Sequence, residues 1–183
     1  MTTESSTTID VASVLRAGTV AGNWALDPQA SSVQFAVKHF WGAVTVRGHF
    51  EQIAGEGSIA TGGALTGTLS FDATSLTTKN AQRDKHLRSA DFFDIENHPM
   101  VVLTVSEATP LEGGALFCKG TLEAAGHLAP IEFTAHVQDF TDQAVTMTAV
   151  VVVDRTRFCM TWSPMRVAAY DAHATVTARF VRA

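Results

Sequence analysis

Apolar residues in this chain recur at every second position through one segment after another, a period that demands sheet with one dry face and one wet face. In Val33-Gln34-Phe35-Ala36-Val37-Lys38-His39, the residues Val33, Phe35 and Val37 share a face. Leu65, Leu69 and Phe71 share another. Ile131, Phe133, Ala135 and Val137 alternate with Glu132, Thr134, His136 and Gln138, and Ala172, Ala174, Val176, Ala178 and Phe180 alternate with His173, Thr175, Thr177 and Arg179. Further strands are expected at Val101 to Val105, Leu116 to Leu122 and Val145 to Val153. The stretch from Val44 through Ile59 predicts a strand kinked near Gly55 or Gly57. Asp27-Pro28, Gly62-Gly63, Gly113-Gly114 and Asp142-Gln143 supply the turns between them.

This is one unbroken series of about eight strands, the spacing of an antiparallel barrel or sandwich. A length of 183 residues fits a single domain. Asp10 is placed to cap a short helix carrying Val11, Val14 and Leu15, with Gly18 as its stop. Residues 1–21 therefore form an arm, and the barrel domain runs over 22–183. A second helix is expected from Asn80 to Arg88, after the third strand.

Closure of eight strands leaves no edge to aggregate, and at about that number the interior is either filled or holds one small ligand. Small residues line one face of the third strand (Ala64, Thr66, Thr68, Ser70) and of the last (Ala172, Ala174, Ala178). If these faces turn inward they leave a tunnel. If they pack beneath the bulky Phe35, Phe50, Phe71 and Phe133, the barrel is solid. A dry tunnel favours long, thin guests, since each buried methylene contributes about 0.8 kcal/mol.

The densest charge lies in Arg83-Asp84-Lys85-His86-Leu87-Arg88-Ser89-Ala90-Asp91-Phe92-Phe93-Asp94, with His98-Pro99 following. Cations beside two phenylalanines suit the rim of a pocket for an amphiphile. The alternative is a brace between helix and barrel, pairing arginine with Asp84, Asp91 or Asp94 and burying Phe92 and Phe93. His39, Phe40 and Trp41 end a strand, where they either ring a pocket entrance or pack over the barrel end.

A net charge of −5 argues against a nucleic-acid surface. The seven histidines show no metal-ligand spacing, and no serine sits in a nucleophile elbow. Cys118 and Cys159 are expected to be reduced rather than bridged. No run reaches the length of a membrane span. The polar opening Met1-Thr2-Thr3-Glu4 carries no secretion signal, which gives cytoplasmic residence as the expectation.

Several motifs occur in a telling order. Trp24-Ala25-Leu26-Asp27-Pro28 precedes Ser31-Ser32-Val33-Gln34-Phe35-Ala36-Val37-Lys38-His39. Val46-Arg47-Gly48-His49-Phe50 comes next, then Arg83-Asp84-Lys85-His86-Leu87, Asp91-Phe92-Phe93-Asp94 and His98-Pro99. Gly120-Thr121-Leu122 with Gly126, and Val153-Asp154-Arg155 with Phe158, complete the set. From Gly22 to Arg182 the chain resembles the YceI-like family of lipocalin-like, polyisoprenoid-binding barrels.

That resemblance implies a mainly β protein: an eight-stranded antiparallel lipocalin-like β-barrel with a helix beside it. It implies an amphiphilic lipid, such as a quinone, a prenyl phosphate or a fatty-acid-like molecule, lying along the pore for transport, storage or sequestration. It implies a homodimer and no established catalysis; no cofactor and, from the histidine spacing above, no metal are expected. The residues expected to contact the ligand are Phe35, Val37, His39, Trp41, Phe50, Phe71, Arg83, His86, Leu87, Phe92, Phe93, Phe133, Arg155 and Phe158. Two alternatives stand beside this reading. One is an enzyme working on a lipid-like substrate through Arg83, His86 and Asp94. The other is a filled barrel whose charged segment docks a partner. The family pattern is broken at Gly126-His127-Leu128-Ala129-Pro130, which lacks the usual lysine, and at Cys159, where glycine is usual.

Overall fold

The computed structural model describes residues 9–183. Its strands are β1 (Gly22–Leu26), β2 (Ser32–His39), β3 (Val44–Phe50), β4 (Ile53–Ile59), β5 (Leu65–Asp72), β6 (Leu76–Thr77), β7 (Met100–Leu111), β8 (Ala115–Ala124), β9 (His127–Phe140), β10 (Ala144–Asp154) and β11 (Ala168–Arg182). The helices are α1 (Val11–Ala17) and α2 (Ala81–Leu87).

All pairings are antiparallel, and β1 closes the sheet by pairing with both β4 and β11. β1 and β2 act as one bent strand broken by the 3-10 turn Pro28–Ala30, and β3 and β4 act as another. Ten of the segments thus form a closed barrel of eight staves in up-and-down order, as expected, and the two-residue β6 pairs only with the end of β3. The bend in the second stave is not at Gly55 or Gly57, which sit in the ladder opposite Leu69 and Gly67. It falls at Glu51 and Gln52, whose N–H groups leave the ladder and donate to Ser75 Oγ at 3.1 and 3.0 Å.

One face assignment is corrected. On β5 the small side chains are not the barrel lining: Ala64 and Thr66 are exposed, while Leu65, Leu69 and Phe71 join the core. Large residues won the inside because burying them stabilises most. On β11 the alanines do face inward, and they make the room described below.

Both helices begin and end on the expected residues. The Asp10 carboxylate accepts from the Ser13 N–H at 3.1 Å, and Gly18, at φ 68°, closes α1 with its N–H on the Leu15 carbonyl at 3.2 Å. Val11 and Leu15 are buried in the same cluster as Trp24, whose indole N–H donates to the Val20 carbonyl at 3.1 Å. Helix α1 therefore closes the barrel end that carries the turns at 60–64, 112–114 and 141–143. Helix α2 starts from Asn80, whose side chain accepts from the Arg83 N–H at 3.0 Å. It lies at the other end, with the β2–β3 turn and the long connection from β10 to β11.

Candidate functional site

A cavity of about 230 Å³ opens at the α2 end of the barrel. One water needs only roughly 10–15 Å³ of such space, so the barrel is hollow on a far larger scale than a trapped solvent molecule. Alternation on the strands builds the wall: Val33, Phe35 and Val37 from β2, Val46 and Phe50 from β3, Ala172 and Ala174 from β11. Phe50 stands at the centre of an aromatic group, with ring centroids 5.7 Å from Phe35, 4.7 Å from Phe71 and 5.9 Å from Phe93. Leu87 from α2, Phe92 from the segment after it, and Phe158 from the turn after β10 complete the apolar lining.

The charged or titratable lining residues are His39, Arg83, His86 and Arg155, with no aspartate or glutamate among them. All four stand at the same end, on the last residue of β2, on α2 and just after β10. Arg83 Nε donates to Thr78 Oγ1 at 2.7 Å and its Nη2 to the Thr78 carbonyl at 3.0 Å. Arg155 is buried, 6% exposed, and donates from Nε to the Ala169 carbonyl at 2.9 Å and from Nη1 to the carbonyls of Met160 and, at 3.2 Å, Trp162. The Phe92 and Tyr170 rings lie 5.7 and 5.4 Å from its guanidinium carbon. Burial pulls the Arg155 pKa below its usual value, and a guanidinium remains charged at neutral pH in proteins. Burial first, then the Arg155 and Arg83 charges, hold His39 below the ordinary imidazole range and keep it neutral.

His86 Nε2 lies 3.0 Å from Asp91 Oδ2. Its ring meets Trp162 edge-on at 4.3 Å and Phe92 at 5.2 Å, which frames the mouth in aromatic rings. The expected brace of arginine with Asp84, Asp91 or Asp94 is not built. Asp84 accepts from the Thr78 N–H at 2.9 Å and from the Thr78 and Thr77 hydroxyls, Asp91 takes His86, and Asp94 accepts from Asn97 at 2.9 Å. The Arg83, His86 and Asp94 group drawn for an enzyme is divided in the same way.

Of the residues expected to touch a ligand, all line this cavity except Trp41 and Phe133. Trp41 stands at the tip of the β2–β3 turn, 88% exposed, in a run of three left-handed residues with Phe40 and Gly42. Phe133 lies deeper, in a second cavity of about 110 Å³ with Leu69, Val176, Ala178 and Phe180. Consecutive inward positions divide between the two spaces. Phe71 and Ala174 line the first, and Leu69 and Val176, next along the same faces, line the second. The cavities are therefore adjacent along the barrel axis. A third space of about 60 Å³ follows under α1 and shares Leu65, Leu116 and Met147 with the second. Met160 and Trp162 were missed as lining residues, since they lie on a loop without periodicity. Val46, Leu122 and Val153 were missed too, although strand alternation was the signal for them.

Residues 24–181 match the model of the YceI-like domain. The chain belongs to the YceI-like family. Among curated relatives, a UPF0312 protein of Vibrio cholerae serotype O1 is 32% identical over 119 residues, 63% of this chain and 62% of its own. A UPF0312 protein of Staphylococcus aureus (strain USA300) is 36% identical over 103 residues, 54% of this chain and 58% of its own. The matches thus span about three fifths of those relatives' length. Among solved structures, Burkholderia cenocepacia BcnA superposes with a TM-score of 0.76 at 16% identity, over 84% of this chain and 98% of that one. A polyisoprenoid binding domain from Saccharophagus degradans, implicated in plant cell wall breakdown, gives 0.72 at 16% identity, over 87% and 98%. The Campylobacter jejuni YceI protein gives 0.62 at 18% identity, over 73% and 83%. At these identities the likeness shows the YceI-like barrel itself.

Among the described residues, no helix is long and apolar enough to cross a membrane, and no group of three or more His, Cys, Asp or Glu side chains is placed to hold a metal ion. Both cysteines are free thiols. Burial pushes the Cys118 thiol up to about 11, which leaves it protonated and inert beside the second cavity, while Cys159 is exposed.

Proposed function

We propose that this YceI-like protein holds an isoprenoid or similar amphiphile in its barrel, for transport, storage or sequestration. The tail lies against the aromatic and aliphatic wall and the head rests at the mouth among His39, Arg83 and Arg155. The observation that carries this reading is the segregation inside the 230 Å³ cavity: hydrocarbon walls below, cationic and imidazole groups at one end, and no acid in the lining. An amphiphile has the same asymmetry. Each methylene moved from water to such a wall contributes about 0.8 kcal/mol, so a prenyl or acyl tail binds by accumulation and the head supplies orientation. A binding role is favoured over catalysis because Arg83 and Arg155 are held in place by carbonyls, a hydroxyl and ring faces, while Arg155 Nη2 remains a buried donor without a partner among the described residues, free for a head group.

The test is extraction of freshly purified protein with organic solvent, followed by mass spectrometry, together with titration of delipidated protein with a prenyl phosphate and with a quinone. A stoichiometric lipid, or saturable uptake of either probe, is the expected result. Clean extracts combined with no uptake of any amphiphile would sink the reading.

A further inference from the structure

The cavity mouth carries an apolar rim that the barrel itself does not use. The β2–β3 turn and the connection from β10 to β11 are tied together there, with the Phe40 N–H on the Val167 carbonyl at 2.7 Å and His39 in register with Ala168. From this joined edge Trp41 and Met165 project 88% and 87% exposed, with Phe40 and Trp162 half exposed beside them. Trp41 and Met165 have φ of 55° and 53°, a left-handed conformation that bulky residues rarely adopt. Neither side chain packs on the core, so the chain gains no burial from placing these two residues there.

Charge marks the same edge. The whole protein is acidic, with 18 Asp and Glu against 13 Lys and Arg. Yet residues 38–46 and 155–170 hold Lys38, Arg155, Arg157 and Arg166 and no acid at all. Lys38, Arg157 and Arg166 are exposed on the segments that carry the apolar tip. The acids that bound the loop, Asp154 and Asp171, lie in the strands behind it, with Asp154 engaged by the Thr156 N–H and hydroxyl at 2.9 and 2.6 Å, and Asp91, from the segment after α2, is taken by His86 beside Trp162.

We propose that this rim docks the protein on an anionic bilayer, with Trp41 and Met165 seated at the boundary between headgroups and acyl chains. Tryptophan prefers that boundary, and cations flanking an apolar tip are drawn to acidic headgroups. The cavity mouth then faces the membrane, so an apolar tail passes between bilayer and barrel without crossing water. The proposal goes beyond cargo binding and does not depend on which lipid is carried.

The experiment is co-sedimentation of the full chain with phosphatidylcholine vesicles, with and without phosphatidylglycerol. It is repeated with the double variant Trp41→Ser, Met165→Ser, whose altered side chains lie outside the core. Wild-type protein is expected to pellet with the anionic vesicles, less in high salt and less with neutral ones, and the double variant to lose about tenfold in partitioning. Absence of wild-type pelleting overturns the proposal, as does equal pelleting of both proteins or indifference to phosphatidylglycerol. A dimer in sedimentation velocity that the double variant disperses, without vesicle binding, assigns the rim to a second copy and overturns it too. Uptake of cis-parinaric acid, measured in both proteins without vesicles, tests the cargo reading separately. Uptake without vesicle binding sinks only the rim, and vesicle binding without uptake sinks only the cargo.

Discussion

The Phe35 ring occupies the place where a side chain at position 48 would stand. The two residues are paired across β2 and β3, and a Cβ built on Gly48 would lie 2.4 Å from the ring. Thr78 bounds the same spot at 2.8 Å, so the ring has one way to yield, towards the cavity. Gly48→Ala is expected to destabilise the barrel by about 1–3 kcal/mol, the ordinary cost of overpacking, and to weaken uptake of a long-chain amphiphile. Urea denaturation and a fluorescent-lipid titration measure the two effects. An unaltered midpoint would show that the ring is not held there.

Ala174 faces the cavity between Val151 and Phe35. Ala174→Leu puts hydrocarbon into existing space. Because the added methylenes enter the cavity rather than a packed core, it is expected to cost less than the roughly 1–3 kcal/mol of overpacking, while reducing uptake about tenfold. Binding as tight as wild type would place the guest elsewhere.

His39 reports on the head group. Its folded pKa lies below the ordinary imidazole value of about 6.5 because of burial, then Arg155 and Arg83. The stability it contributes as a neutral ring is present above the unfolded value and is lost as pH falls through the lowered folded one. An anionic head between the two arginines offsets their charge and raises the His39 pKa, so affinity for a prenyl phosphate is expected to increase as pH falls into that window. A quinone brings no charge, and its affinity is expected to stay flat. NMR titration of His39 with and without each ligand distinguishes them.

Asp84 anchors the start of α2. Burial, the largest single influence, opposes its charge, but hydrogen bonds from Thr78 and Thr77 and the Arg88 charge outweigh it and leave the pKa below the ordinary carboxylate value. Its contribution is therefore complete above about pH 4 and is lost as pH falls through the lowered folded value. Asp84→Ala strands the Thr78 N–H and is expected to cost about 2–4 kcal/mol at neutral pH, a gap that narrows in acid. Parallel denaturation curves at neutral and acidic pH give the comparison.

Strand positions and both helix caps were legible because period-two alternation, Asp10, Gly18 and Asn80 act locally. The faces of β5 were not, since alternation gives two faces without saying which is inside. Leu69 and Phe71 settled that by size, against the run of threonines. At the site, strand residues such as Phe35 and Val37 followed from spacing, while the partners of the Arg155 guanidinium, the carbonyls of Met160, Trp162 and Ala169, lie on a connection without periodicity and at the start of β11, and could not be read from it. Trp41 shows the limit on the other side: an aromatic residue beside a pocket motif points inward or outward according to the conformation of its turn, and no period-two pattern encodes the left-handed run at Phe40, Trp41 and Gly42.

Helix α1, seated over the far turns, makes the barrel a blind tube rather than a through-passage. An amphiphile held as proposed would leave by the door through which it came, head last in and first out. The mouth cavity is then the first gauge of its tail, and a longer one would have to part the side chains around Leu69 and Val176 to reach the second.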